Sequence, residues 1–179
     1  MEPKELIRIS KFFSKHLRHA PERLGLHLAS GGWVEVDTLL RAAARHGVTI
    51  TRAQLDEVVE KNDKQRFSFD ESGTRIRANQ GHTTEVDLEL TPVAPPTVLY
   101  HGTPSQNVAA IRSSGLLKMA RHHVHLSADV ETATRVGSRR GRAVVLTVDS
   151  AAMHAAGIVF YRSDNGVWLC EAVEPRFIL

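Results

Sequence analysis

Three prolines fall within LTPVAPPTV, residues 90–98, and no other stretch constrains the fold of this chain as much. Proline locks φ at about −65°, removes a backbone donor and pushes the residue before it out of the helical region. The stretch therefore reads as an extended connector that neither a helix nor a central strand runs through. It places a domain boundary, with residues 1–91 forming one lobe and residues 92–179 another. At 179 residues the chain is long enough for two small lobes, and neither contains an internal repeat.

The first lobe reads as helix, helix, helix, hairpin. Leu6, Ile9, Phe13 and Leu17 recur at helical spacing, which predicts an amphipathic helix over residues 4–18. GGWVEVDTLLRAAARHGV holds a short strand-like WVEV. Asp37 is placed to cap the helix that carries Leu39, Leu40 and Ala43 and stops at Gly47. Thr51 opens the next helix, TRAQLDEVVEKND. Two alternating runs in RFSFDESGTRIRA flank Glu71-Ser72-Gly73, the signature of a hairpin. Three helices and a terminal β-hairpin make a winged-helix arrangement. Such lobes bind nucleic acid in some proteins and only protein in others.

The second lobe is richer in strands. TVLYHGT predicts a strand running into a tight turn, and PSQNVAAIRSSGLL a helix stopped by Gly115. HVHLSA, AVVLTVD, GIVFYRS and GVWLCEAV read as β structure, with DVETATRVGSRR as a short helix between them. The whole is an α+β chain with a β-rich second half.

Composition excludes several classes. With 42% hydrophobic and 24% charged residues the chain buries a core. No apolar run reaches the roughly 18 residues of a spanning helix. MEPKELIRIS lacks the parts of a signal peptide, so a cytoplasmic protein is the expectation. The one cysteine, Cys170, excludes an internal disulfide and a multi-cysteine zinc site. A formal charge of +3 with ten histidines permits a polyanionic partner without requiring one. The cations are clustered: Lys11, Lys15, His16, Arg18, His19 and Arg23; then Arg121, His122, His123 and His125; then Arg135, Arg139, Arg140 and Arg142.

In LRHAPERLGL, Arg18 and His19 stand side by side where a helix stops. They are either solvated cations at a helix end or half of an anion site. His101-Gly102-Thr103 ends a strand and sets backbone N–H groups, a hydroxyl and an imidazole together. That suits a polar, planar or anionic ligand, but on these three residues alone an ordinary turn with a polar tip is the favoured reading. In MARHHVHLS, alternation puts His123 and His125 on one strand face. No HExxH motif or cysteine pair completes a metal site, so no metal is expected. Arg66 opens a strand in KNDKQRFSF, and Lys61 and Lys64 precede it; a solvated helix end is the plain alternative. There is no GxSxG, P-loop or GxGxxG. Arginines and histidines remain, a set that stabilises phosphate oxygens.

Taken together, SKFFSKHLRHAPERLGL, GGWVEVDTLL, DKQRFSF, IRANQGH, YHGT, GLLKMARHHVHLS, VGSRRG and NGVWLCEAVEPRFI resemble the KptA-type RNA 2′-phosphotransferases. This NAD-dependent family also contains the tRNA-splicing phosphotransferase of eukaryotes. The segments run in family order over essentially the whole chain. The resemblance implies an N-terminal winged-helix, RNA-binding lobe and a C-terminal, ADP-ribosyltransferase-like, NAD-binding lobe. It implies a two-step reaction, in which an RNA 2′-phosphate first displaces nicotinamide from NAD. The ADP-ribose 2″-hydroxyl then attacks the phosphate, releasing 2′-OH RNA and ADP-ribose 1″,2″-cyclic phosphate.

Residue by residue, the resemblance implies a catalytic group of Arg18, His19, Arg66 and Arg121. It assigns His101, Gly102, Thr103, His125 and Ser127 to the nicotinamide and ribose side of NAD, and Arg139 to its pyrophosphate or adenosine. Where family members often have Arg-His-Gly, this chain has Arg139-Arg140-Gly141. The glutamate of many ADP-ribosyltransferases is not apparent; Val167 matches its place, and Glu171 is the competing candidate. Lys11, Lys15, Lys64 and Arg77 are expected RNA contacts, or else solvated cations. A monomer is the default. Two other readings compete: an ADP-ribosyltransferase that stops after the first step on terminal phosphates or a small acceptor, and a non-catalytic NAD sensor.

Overall fold

The computed structural model describes residues 1–62 and 64–179, and the chain divides into two compact units, Met1–Glu89 and Leu90–Leu179. Each has its own core of buried apolar side chains. The architecture is mixed α and β.

In the first unit, helix α1 (Pro3–Arg18) starts on a proline, whose missing N–H falls where no intrahelical partner exists anyway. Ile9, Phe13 and Leu17 form its buried stripe. Strand β1 (Val34–Glu35) leads directly into α2 (Val36–Arg45), and α3 (Arg52–Glu60) follows. Thr51 opens α3, as expected from the sequence, and caps it through a full capping box with Gln54. Asp63, the last residue of the TRAQLDEVVEKND segment, lies outside the described residues. The hairpin is present as β2 (Phe67–Phe69) and β3 (Arg75–Ala78), and β1 adds to it in the order β1-β3-β2, all antiparallel. Its turn is held by Asp70, whose carboxylate accepts the Arg75 N–H and Nε–H at 3.0 Å each. Those bonds, with that from Ser72, pull the carboxyl down to about 2.

Two local expectations are corrected here. Asp37 does not cap α2; it lies in the first turn, and Glu35 stands at the N-cap position. The helix start needs no side-chain cap of that kind because the Val36 N–H donates to the Thr74 carbonyl at 2.8 Å, across the sheet. For the same reason WVEV shortens to a two-residue strand.

The second unit is built on an antiparallel pair, β4 (Leu99–Pro104) and β7 (Ala143–Val148), in a register that sets Gly102 opposite Val145. Helix α4 (Val108–Ser114) ends at Gly115, whose φ of +79° and close approach to the Val173 carbonyl exclude a side chain. Next come β5 (Leu116–Leu117), β6 (Val124–Leu126) and α5 (Val130–Gly137), the last capped by Asp129. After β7 come α6 (Ser150–Ala155), β8 (Tyr161–Arg162), β9 (Trp168–Cys170) and β10 (Ala172–Val173). Strands β6, β9 and β8 form one antiparallel sheet, and β10 pairs with β5. Helix α6 is absent from the sequence reading, and GIVFYRS contributes only Tyr161–Arg162 as strand.

The expected tight turn at His101-Gly102-Thr103 is also corrected: these residues lie inside β4. The glycine is needed there for packing. A Cβ on Gly102 would stand 1.6 Å from the Ala133 carbonyl oxygen, and one on Gly137 2.8 Å from the Thr103 nitrogen. Helix α5 thus rests on β4 through two glycines, backbone against backbone.

Candidate active site

In the first unit, Arg18 is the last residue of α1 and His19 follows at its C-cap. The Arg18 carbonyl, which the helix cannot satisfy, accepts N–H groups from Thr83 at 2.8 Å and Thr84 at 3.2 Å. The His19 ring Nδ1 lies 2.9 Å from the Thr83 hydroxyl. Arg18 Nε and Nη2 are shielded from solvent, and His19 is exposed. His16, one turn earlier, is buried; its Nδ1 bonds the Phe12 carbonyl at 2.8 Å, and burial lowers its pKa. It belongs to the core.

Arg66 stands just before β2, on a turn pinned from both sides by buried asparagines. The Asn62 Nδ2 donates to Ser10 Oγ at 2.9 Å, and its Oδ1 accepts the Lys64 N–H at 3.1 Å and Arg66 Nη1 at 3.4 Å. The Asn79 Nδ2 donates to the Gln65 carbonyl at 2.7 Å, and the Asn79 N–H to the Arg66 carbonyl at 2.8 Å. These bonds hold Gln65 at a φ of +41°, a costly conformation for a residue with a side chain. A groove of about 280 Å³ opens beside the turn, lined by Lys11, Lys61, Lys64 and Arg66 over Leu6 and Ile7. Lys15 and Arg77 do not line it. Lys15 is exposed in the last turn of α1. Arg77 stacks 4.5 Å over the Trp33 ring and donates to the Gly31 carbonyl.

In the second unit, β4 and β6 begin to pair at Tyr100 and Ser127, which exchange two backbone bonds of 2.9 and 2.7 Å. Antiparallel alternation points the Gly102 N–H and C=O along that same edge, toward His125. There the ladder splits. The His125 carbonyl is taken instead by the His101 Nδ1 at 3.1 Å, so the Gly102 backbone faces the gap. Burial lowers the His101 pKa, and the neutral ring then carries its proton on Nδ1. Thr103, the next residue, is buried.

Arg121 Nη1 lies 3.3 Å from His125 Nδ1, and a guanidinium can only donate, so the His125 proton sits on Nε2. Partial burial, and then the charges of Arg139 and Arg140, lower the Arg121 pKa. Arg139 and Arg140 form the turn that follows α5. The structure therefore gathers Arg121, His125, Arg139 and Arg140 on one side, and His101, Gly102 and Ser127 along one edge. The like charges of the first group are what a bound polyanion relieves. His123 precedes β6 rather than lying in it, edge-on to Tyr161. Glu171 is ion-paired with Lys118, and the Val167 backbone is bonded to Ser163. Among the described residues no cluster of metal-ligating side chains forms, and no helix is long and apolar enough to cross a membrane.

Thr83, Asn62 and Asn79 are the site-building residues that the sequence reading missed. None carries a recognisable charge or spacing; Thr83 and Asn79 act across separations that only the fold closes, and Asn62 is fixed for its local role by its bond to Ser10.

Comparison with known proteins shows the family of the chain. The family described as RNA 2′-phosphotransferase, Tpt1 / KptA family, matches residues 4–172. A protein of Trichormus variabilis named probable RNA 2′-phosphotransferase is 60% identical over 178 residues, 99% of this chain and 98% of its own. One of the same name from Streptomyces griseus is 60% identical over 186 residues, 100% of this chain and 98% of its own. Another from Flavobacterium johnsoniae is 49% identical, covering 95% of this chain and 93% of its own.

Proposed function

This chain belongs to the Tpt1 / KptA family of RNA 2′-phosphotransferases, and on that premise we propose that it transfers an internal RNA 2′-phosphate to NAD. The proposal takes residues 1–91 as a winged-helix, RNA-binding lobe and residues 92–179 as an ADP-ribosyltransferase-like, NAD-binding lobe. The helices followed by a sheet-forming hairpin support the first assignment. The split ladder at Gly102 supports the second.

The observation that carries the reading is that split. A carboxamide presents an N–H donor and a C=O acceptor side by side in one plane, and the Gly102 N–H and C=O offer the complementary pair along one edge. His101, neutral and fixed through Nδ1, together with Thr103, His125 and Ser127, frames the adjoining ribose. Arg139 takes the diphosphate, close to Arg121.

In the first step the RNA 2′-phosphate oxygen bonds to the ribose carbon as the bond to nicotinamide breaks, giving 2′-phospho-ADP-ribosylated RNA. Arg18, Arg66 and Arg121 hold and align the attacking phosphate, which a guanidinium fork does in two bonds at once. In the second step the 2″-oxygen bonds to phosphorus and the bond to the RNA 2′-oxygen breaks. The arginines stabilise the charge spread over the phosphoryl oxygens, and His19 carries the proton that the RNA oxygen needs or donates to the phosphate as a cation. Phosphate already is a competent nucleophile, which agrees with a Glu171 neutralised by Lys118.

For RNA, the groove beside Arg66 supports Lys11 and Lys64 as strand contacts and adds Lys61. Contacts by Lys15 and Arg77 rest on the family resemblance alone. The test is release of nicotinamide from NAD in the presence of three RNAs: one with an internal 2′-phosphate, one with a terminal phosphate only, one with neither. Release confined to the first is expected. Release with the second only would favour an end-phosphate ADP-ribosyltransferase instead.

A further inference from the structure

We infer that Thr83 is a positioning residue for His19, holding its imidazole by Nδ1 so that Nε2 is the nitrogen that exchanges a proton with substrate. The role of His19 rests on the phosphotransferase reading; the contact does not.

His19 stands at an exposed helix end, where a side chain ordinarily samples several rotamers. Here the Thr83 hydroxyl meets its Nδ1 at 2.9 Å. Thr83 is not a loose surface group. Its own N–H donates to the Arg18 carbonyl at 2.8 Å, so the turn that closes α1 is the turn that presents the hydroxyl. His82, immediately before it, is fully buried, and Asn79 and Gln80 are buried too. The segment is sunk in the first unit, and Thr83 is the point where it surfaces against His19.

The choice of a hydroxyl matters chemically. A carboxylate at this place would hold the ring as imidazolium and raise its pKa. A hydroxyl both donates and accepts. It accepts from Nδ1–H when the ring is cationic and goes on accepting from it when the neutral ring has given up its Nε2 proton. The bond therefore survives proton gain and loss at Nε2. Thr83 orients His19 in both states without fixing either one, as a group that must titrate during turnover requires.

The test uses Thr83→Val, which keeps the shape and removes the hydroxyl, and Thr83→Ser, which restores it. Two readouts are taken on the full chain: the ring ¹⁵N shifts of His19 against pH without substrate, and turnover of 2′-phosphorylated RNA with NAD. In the valine variant we expect altered Nδ1 and Nε2 shifts, a displaced pH profile and kcat lower by about tenfold, the worth of one hydrogen bond, with the KM for NAD within about twofold. Serine should return all of these toward wild type. Unchanged His19 shifts and pH profile in a folded valine variant would overturn the inference. Altered shifts with no RNA turnover by the wild-type protein would instead overturn the phosphotransferase reading, and with it the catalytic part of this role.

Discussion

The His101 Nδ1 sits 3.1 Å from the His125 backbone oxygen, in the place where a strand-to-strand N–H would ordinarily sit. One ring nitrogen thereby does a backbone's work, and Gly102 is left with an open edge. The Nδ1–H makes this bond in either charge state, and burial lowers the His101 pKa, so the ring is held toward its neutral form with Nε2 bare.

A pH dependence of stability follows. The folded pKa lies below the unfolded value of about 6.5, so in acid the unfolded chain binds more protons than the folded one. Stability is then full above that value and falls as the pH drops toward the folded pKa. His16 and His123 are lowered too and add to the slope. Urea unfolding at pH 7.5 and 5.5 should show the loss, and His101→Asn, which retains a donor near Nδ1, should make it shallower. Equal stability at both pH values would contradict the assignment.

Gly102 is a packing requirement before it is a binding one. Ala at this position would drive its methyl into the Ala133 carbonyl. Gly102→Ala should cost about 3 kcal/mol and lower Tm by roughly 6–12 °C, measured by thermal unfolding without ligand. A wild-type Tm would mean that α5 does not rest on β4 as described.

Arg121 meets His125 through Nη1 and lies within reach of the charges of Arg139 and Arg140. Arg121→Ala should lower kcat for RNA dephosphorylation by about 10²–10³. Arg121→Lys should restore little of it, because an ammonium lacks the planar fork. Full rescue by lysine would show that charge alone is used.

Lys11 lines the groove next to Arg66 and is exposed. Lys11→Ala should raise the KM for RNA several-fold with kcat unchanged. It should also reduce the salt slope of RNA binding by about 0.7, the value for one phosphate contact to a single strand. An unaltered slope would remove Lys11 from the RNA path.

What could be read from the sequence was what neighbouring residues decide among themselves. Thr51 starts α3 where the sequence places a helix start, and the hairpin around Glu71-Ser72-Gly73 is set by its own turn. Helix α1 announced itself through Ile9, Phe13 and Leu17. Helix α6 did not, because its short alanine-rich turn has little periodicity and depends on the Asp149 cap. By sequence Gly102 suits a turn or a ligand's approach, because the Ala133 carbonyl that fills the space beside it belongs to α5, far along the chain. Asn79 and Thr83 are silent for the same reason, since an uncharged side chain that shapes a distant turn leaves no pattern, and Asn62 depends on its long-range bond to Ser10. Arg18, His19, Arg66 and Arg121 came from family resemblance, since clustered cations alone fit a solvated surface equally well.

The most direct measurement is a single-turnover reaction of the protein with a short RNA bearing one labelled internal 2′-phosphate, with and without NAD, run beside Arg18→Ala. The account expects NAD-dependent conversion to 2′-OH RNA, with the label in ADP-ribose 1″,2″-cyclic phosphate, and loss or arrest at the ADP-ribosylated RNA in the variant. Retention of the label on the RNA by the folded wild-type protein with NAD present, whether as unreacted phosphate or as a stable adduct, would contradict it.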